Sequence, residues 1–277
     1  MDNYIKRELI NGVSFLYIDQ KDVKVNIVSP SMIEAFEFII DDILKDEKVK
    51  AAVFISAKKD FIAGADIQSF VANKVGDFQP ISIKGHKLLD KISKSPKPFV
   101  AAIHGTAYGL GVELPLACAA RIASDHKTTK LALPEVKLGL LPGCGGTQRL
   151  PKLIGLQASL DMMLTGKNIF AHKAQKIGLV DQLVPQSKLK HAAEKLALSL
   201  IDKPLQRKNK GSLLTRFLDH TSFGRFIVYR EAAKKVYRQT LGNYPAPSEI
   251  LYCVKTGLER GSKEGYQAEV IKFEELM

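Results

Sequence analysis

The apolar residues of this chain fall into two rhythms. Short, nearly continuous runs occur at VSFLYI (13–18), AAVFIS (51–56) and PFVAAIHG (98–105). Runs of this length, bounded by polar and turn-forming residues, predict buried strands. VNIVS (25–29) and RIAS (121–124) predict two shorter ones. Between them the spacing changes: Met32, Ala35, Phe36, Ile39, Ile40 and Ile43 recur with a helical period and predict a helix over 31–46. IQSFV, from Ile67, begins another helix, Gly76 and Pro80 punctuate a loop at 73–80, and a further helix follows over about 81–93. Strands alternating with helices imply an α/β architecture with crossover connections. From about 149 to 200 the pattern is mostly helical, with one strand-like piece at LVDQLV (179–184). After about 212 it is helical only, broken at NYPAPSE (243–249) and punctuated by the glycines of GLERGSKEG (257–265). No internal repeat or low-complexity tract interrupts this order.

Composition narrows the class. A chain of 277 residues with 45% hydrophobic and 25% charged content is long enough for a substantial core and has the balance of a soluble globular protein. The first residues, MDNYIKRELINGVSF, show neither a signal-peptide apolar core nor the Arg-rich look of a transit peptide. The longest apolar runs are too short to span a bilayer, so no transmembrane segment is expected. Cys118, Cys144 and Cys253 are few and odd in number, which argues for free thiols in a reducing cytoplasm. No CxxC or His–Cys spacing suggests a metal site. The formal charge of +12 would suit nucleic acid, an anionic membrane surface or a polyanionic small molecule. No nucleic-acid motif accompanies it, and much of the charge follows residue 187 in lysine-rich helical sequence. That leaves a solvated basic surface or a cleft for a phosphorylated ligand.

Three stretches carry candidate chemistry. In GLGVELPLACAA (109–120), Glu113 stands in an otherwise apolar run. A carboxylate out of water costs several kcal/mol unless it is paired, hydrogen-bonded or protonated. A strand runs into His104–Gly105, and a helix is expected to start near Gly111, with Pro115 in its first turn. The amides near Leu110 and Gly111 are then free donors at a helix N-terminus, a site suited to negative charge. Glu113 is either a carboxylate kept there by the helix dipole or one kept for chemistry. In LPEVKLGLLPGCGGTQRL (133–150), Glu135 lies in a turn-prone segment, and Gly139, Gly143, Gly145 and Gly146 permit close backbone approach. This is either a glycine-rich surface turn or a ligand loop; it lacks the GK[ST] of a Walker A loop, and Gly105, Gly109 and Gly111 lack the GxGxxG spacing. In DFIAGADIQSF (60–70), Gly64 and Ala65 lie between a strand and a helix, and the amide of Ala65 is another candidate anion donor. His104 at a strand end reads as structural, and Cys118 and Cys144 as small buried residues.

FIAGAD, HGTAYGLGVE and LPEVKLGLLPGCGGTQRLPKLIG, in that order, with MMLTGKNIFAHKAQKIGLVDQLVP (162–185) after them, resemble the crotonase (enoyl-CoA hydratase/isomerase) family over at least residues 10–200. The resemblance is closer to one branch, the N-terminal hydratase half of multifunctional α subunits of fatty-acid β-oxidation complexes. NYPAPSEILYCVKTGLERGSKEGYQAEVIKFEELM looks like the connecting helices of that branch. A 3-hydroxyacyl-CoA dehydrogenase domain follows there and is not seen here, so a shortened chain or a stand-alone hydratase half is expected.

The resemblance implies a crotonase-like spiral of repeated ββα units (the ClpP/crotonase fold) with a helical C-terminal region. The core would occupy 1–200, and helices linking toward the absent dehydrogenase would occupy 201–277. It implies syn addition of water to a 2-trans-enoyl-CoA, with Glu113 as base toward the water and Glu135 as the acid that protonates C2. Backbone amides of Ala65 and Leu110 would form an oxyanion hole for the thioester enolate. Ala63, Gly64, Asp66, Ile67, Gly109 and Gly143 would line the substrate, Gly143 offering its amide to the water. Lys58, Lys59 and the late helical lysines are candidates for the CoA phosphates. No cofactor or metal is implied, and NAD would enter only with the dehydrogenase domain. Implied partners are an acyl-CoA, a thiolase β subunit and further copies of the chain, with no nucleic acid; the implied location is the cytoplasm. Isomerases of the family usually keep the second glutamate and lack the first; both are present here, which favours the hydratase and leaves a Δ3–Δ2-enoyl-CoA isomerase as the alternative within enzymes. A non-catalytic acyl-CoA-binding or thiolase-docking module is the alternative outside them. The family usually reads GGG where this chain has Gly109-Leu110-Gly111; the amide donor is kept, while a leucine side chain there would crowd the cleft or redirect the acyl chain.

Overall fold

The structure, a computed structural model, describes residues 4–66, 76–207 and 213–277. They gather into two compact units interleaved along the chain: Met1–Val71, Lys87–Leu131 and Ile169–Lys208 in the first, and Ala72–His86, Ala132–Asn168 and Asn209–Met277 in the second.

The first unit is built on a six-stranded sheet. β1 (Ile5–Ile10) and β2 (Val13–Ile18) form an antiparallel hairpin closed by Asn11 and Gly12. Both turn residues have positive φ, 51° and 80°, as a two-residue turn of the I′ type requires. The apolar pattern overlooks β1, whose IKRELI carries three consecutive charges, Lys6, Arg7 and Glu8, and lies at the sheet edge, where one face meets water. Helix α1 (Pro30–Lys45) then crosses to β3 (Ala51–Ser56), which lies parallel to β2. Ser29 caps α1, its Oγ accepting from the Met32 amide at 3.3 Å. Helix α2 spans Gln79–Ser93, its residues as far as His86 counting with the second unit, so Pro80 sits in its first turn rather than in the expected loop. β4 (Phe99–Ile103) continues the parallel order.

After β4 come β5 (Thr106–Tyr108), α3 (Leu110–Ala117), β6 (Ala120–Ser124) and β7 (Lys130–Ala132). The sheet order is β1-β2-β3-β4-β6, with β9 (Gln182–Val184) at the far edge. Both sheet faces are covered, which explains the unbroken apolar runs. On one face, α7 (Leu189–Ser199) lays Leu189, Ala193 and Ala197 over Phe15, Val53, Val100 and Ile122. On the other, Phe36 of α1 meets Phe54 edge-on at 5.9 Å between ring centres.

Each of β3, β4 and β6 leads through a turn into a short piece of a second ladder. Ile62 bridges Ala107 of β5, β5 and β7 belong to a three-stranded sheet, and β8 (Ile169–Phe170) pairs with β7. This repetition is the ββα spiral expected above. The expected strand at 25–29 is instead irregular, with a single bridge from Val28 to Ala65. Asn26 is the reason: its buried amide serves other backbone groups, as described below.

The second unit is helical: α4 (Gly146–Ile154), α5 (Leu156–Thr165), α8 (Leu213–His220), α9 (Ser222–Thr240), α10 (Ala246–Arg260) and α11 (Ser262–Leu276). The remaining helix, α6 (Ala171–Ile177), belongs to the first unit. α10 and α11 cross at Gly257 and Gly265, where a Cβ on either would lie 1.7 or 2.0 Å from Gln148 Oε1. That side chain is wedged into the crossing, its Nε2 donating to Cys253 O at 2.9 Å. Among the described residues, no helix is long and apolar enough to cross a membrane.

Candidate active site

In the first unit the FIAGAD and GLGVE stretches lie against one another. Tyr108 N donates to Ile62 O at 2.9 Å, and Phe61 N to Thr106 O at 3.0 Å. Gly111 takes the closest approach: a Cβ there would lie 2.4 Å from Ile62 O. Only a glycine lets the start of α3 sit on that backbone. Gly109, with φ +54°, turns the chain out of β5 and caps α3, so the helix begins at Leu110. Gly109 O accepts from Val112 N at 2.7 Å and Glu113 N at 3.0 Å. No described backbone carbonyl accepts from the amide of Leu110, the first residue of the helix.

The Ala65 amide is exposed by a different device. Val28 N donates to Gly64 O at 2.9 Å, and Asp66 N donates to Val28 O at 2.9 Å. In such a parallel bridge the partner serves the residues on either side, so Ala65 directs its own N–H to the opposite edge. Ala65 is exposed, whereas Gly64 is buried with φ +118°, a value that favours glycine. Ala63 and Asp66 flank them half-buried, and Ala63 N donates to Asn26 O at 2.9 Å. Ile67 lies outside the described residues. The structure therefore brings together Ala65, Leu110 and Gly109, two amide donors on adjoining segments.

Glu113 sits in the first turn of α3 and is 3% exposed. Pro115 does not lie in that turn, as expected from sequence, but at the sixth helical position. The helix tolerates it because the proline removes one bond, to Gly111, and the helix ends two residues later. The end of α3 is held from outside. Arg121, 2% exposed, donates from Nη1 to Pro115 O and Cys118 O, each at 3.2 Å, from Nε to Leu179 O at 3.0 Å, and from Nη2 to Asp181 at 2.7 Å. Its own burial pulls the guanidinium pKa down to about 10, against the pull of Asp181.

Asn26 was not singled out by the sequence and organises the FIAGAD loop. Its Nδ2 donates to Ile18 O, Ser56 Oγ and Phe61 O at 3.0–3.1 Å, and its Oδ1 accepts from Gln20 N at 3.1 Å. His104 is structural as expected, its Nε2 lying 2.7 Å from Lys58 O. Lys58 Nζ donates to Gln20 O and Val23 O, so this candidate for a CoA phosphate is occupied with backbone. Cys118 is buried, and burial pushes its thiol pKa up to about 12. Cys144 is only half-buried, because it packs against the bare Cα of Gly85 rather than within a core.

In the second unit, half-buried Glu135 opens a 3-10 turn, Glu135–Leu138. Leu140 N donates to Glu135 O at 3.0 Å, and Gly139 (φ +79°) reverses the chain. Tyr244 Oη ties the turn down by donating to Val136 O at 2.5 Å. Gly143 follows, its carbonyl accepting from Ser82 Oγ at 2.7 Å. A Cβ at Gly143 would lie 2.8 Å from the Phe273 ring of α11. A groove of about 260 Å³ between α5 and α9, lined by Leu160, Leu164, Val228 and Val236, contains none of the residues expected from sequence. Among the described residues, no group of three or more His, Cys, Asp or Glu side chains is placed to hold a metal ion.

A two-layered ββα spiral with amide donors at the head of a short buried helix defines a crotonase-like protein. The chain belongs to the enoyl-CoA hydratase/isomerase family, whose pattern matches residues 11–242. It is 42% identical over 277 residues to the fatty acid oxidation complex subunit alpha of Shewanella sp. strain ANA-3, covering 99% of this chain and 38% of that one. Identity to the subunit of the same name from Shewanella baltica OS155 is 43% over 269 residues, again 38% of its length. This chain thus spans well under half of the curated relatives it matches. The enoyl-CoA hydratase of Bacillus anthracis superposes with a TM-score of 0.66 at 26% identity, covering 93% of this chain and 97% of that one.

Proposed function

We propose that this chain is an enoyl-CoA hydratase that converts a 2-trans-enoyl-CoA to the 3-hydroxyacyl-CoA. The observation that carries the reading is the arrangement in the first unit: the amides of Ala65 and Leu110 on adjoining segments, with buried Glu113 one turn along the same helix. Glu113 takes a proton from water as its oxygen bonds to C3. The electron pair moves through C2 to the thioester oxygen, where the two amides hold the enolate. Glu135 then delivers a proton to C2, and proton exchange with solvent resets both carboxyls. Donors of this kind, fixed before the charge develops, are worth about a hundredfold or more in rate each. The Gly143 amide assists by orienting the water, and Ala63, Gly64, Asp66, Ile67 and Gly109 shape the thioester site. No cofactor enters this chemistry.

By the same relatedness, the substrates are intermediates of fatty-acid oxidation, and the chain works in the cytoplasm. It would pair with a thiolase subunit or with its own copies. The test follows loss of the enoyl thioester's ultraviolet absorbance with crotonyl-CoA and a medium-chain 2-enoyl-CoA, in the parent, Glu113→Gln and Glu135→Gln. Rapid loss in the parent, reduced by about a hundredfold or more in both variants, is expected. No loss from a folded parent that still binds CoA would refute the hydratase reading. Full activity in either variant would refute that glutamate's role.

A further inference from the structure

The last helix carries a buried carboxylate that no sequence motif singled out. Glu269 of α11 is 0% exposed and faces the glycine-rich loop that contains Gly143. Its Oε1 accepts from the Gly145 amide at 2.5 Å and lies 2.7 Å from His86 Nε2. Its Oε2 accepts from the Thr147 amide at 3.2 Å and from the Thr147 hydroxyl. Gly145 and Thr147 are at the start of α4, where amides lack helical partners and no side chain of the helix itself caps them. A residue more than 120 positions away in sequence thus supplies the anion for that helix start. Two other residues of α11 act on the same unit. The Phe273 ring presses on Gly143, and Glu274 accepts from the Gly76 amide and, at 2.9 Å, from Phe78 N.

We propose that Glu269 is a positioning residue for hydration: it holds the Gly143–Thr147 loop in the conformation that presents the Gly143 amide. The proposal rests on the hydratase reading above. Glutamine at 269 would keep the shape but set an NH₂ group against one pair of donors, leaving buried N–H groups unmatched. A substrate contact would raise KM when lost. A group that only orders the loop lowers kcat while the CoA moiety still binds.

The experiment compares parent, Glu269→Gln, Thr147→Val and Thr147→Ser. It measures amide hydrogen exchange in peptides spanning 141–150 alongside kcat and KM for crotonyl-CoA. In Glu269→Gln, exchange in the loop should rise about tenfold or more while β3 and β4 stay protected. Its kcat should fall about tenfold or more with KM within about threefold. Thr147→Val, which removes one donor, should shift both in the same direction by less, and Thr147→Ser should restore them. Unchanged loop exchange, or kcat within about twofold of the parent, overturns the proposal. If Glu269→Gln does not fold, the Val and Ser pair at 147 decides in the same way. A parent without hydratase activity sinks the hydratase reading. The exchange data then still decide whether Glu269 holds the loop.

Discussion

Gly111→Ala separates helix propensity from the tertiary demand at the head of α3. Inside a helix, alanine is better than glycine by about 1 kcal/mol, so propensity alone predicts a more stable protein. The packing predicts the opposite. A Cβ at 111 would lie 2.4 Å from Ile62 O and 3.0 Å from Ile62 Cβ, whereas ordinary contact begins at 3.4 Å. One segment must therefore yield by 3.4 − 2.4 = 1.0 Å. Ile62 cannot swing aside, because the clash is with its backbone, and that carbonyl accepts from Tyr108 N at 2.9 Å. Overpacking of this kind costs about 1–3 kcal/mol. For a chain of this size, that is a fall of roughly 2–10 °C in Tm. The displacement falls between the segments that carry the Ala65 and Leu110 amides, and misplacement of about 1 Å at a reacting centre can cost about a hundredfold in rate. Thermal unfolding and crotonyl-CoA hydration in Gly111→Ala should thus show a lower Tm and a kcat reduced by about ten- to a hundredfold. A variant with raised Tm and kcat within about twofold of the parent would refute the close-packing argument.

Other consequences are as direct. Asn26→Leu strips four hydrogen bonds from buried or half-buried groups around the FIAGAD loop and should lower stability by about 2–4 kcal/mol in urea unfolding. A loss below about 1 kcal/mol would show that the loop re-forms without it. Arg121→Leu leaves Asp181 with Arg207 as its remaining cation and uncaps α3, so a destabilisation of about 3 kcal/mol is expected. An unchanged denaturation midpoint would contradict that. Thiol titration of the native protein at pH 8 should find one reactive cysteine, Cys144. Cys118, with its pKa pushed up to about 12, and buried Cys253 should react only after denaturation. Two fast thiols would count against the burial described.

The alternation of apolar runs and helical periods was enough to place α1, β2, β3, β4 and β6, because α1 buries one face at the helical period and the strands, covered on both sides, read as unbroken apolar runs. The pairing of Asn11 with Gly12 also encodes a hairpin, although the charges of β1 hide the strand from a reading based on apolar runs alone. Glu113 stood out for a local reason: a charge among apolar neighbours in a segment opened by two glycines. Glu269 has the same signature, a charge on the buried stripe of Gly265, Ala268 and Phe273, but that stripe is legible only once the face of α11 is known. Tertiary structure alone decided the rest. The irregular backbone at 25–29 follows from where the Asn26 amide finds its carbonyls, and the position of Pro115 from where Gly109 turns the chain. The glycine requirement at 111 follows from a carbonyl 49 residues earlier, and the cap on α4 from a carboxylate more than 120 residues later. Periodicity records which side of an element is buried. It does not record which distant donor or acceptor completes a backbone group, and that matching shapes the loops on which the candidate chemistry stands.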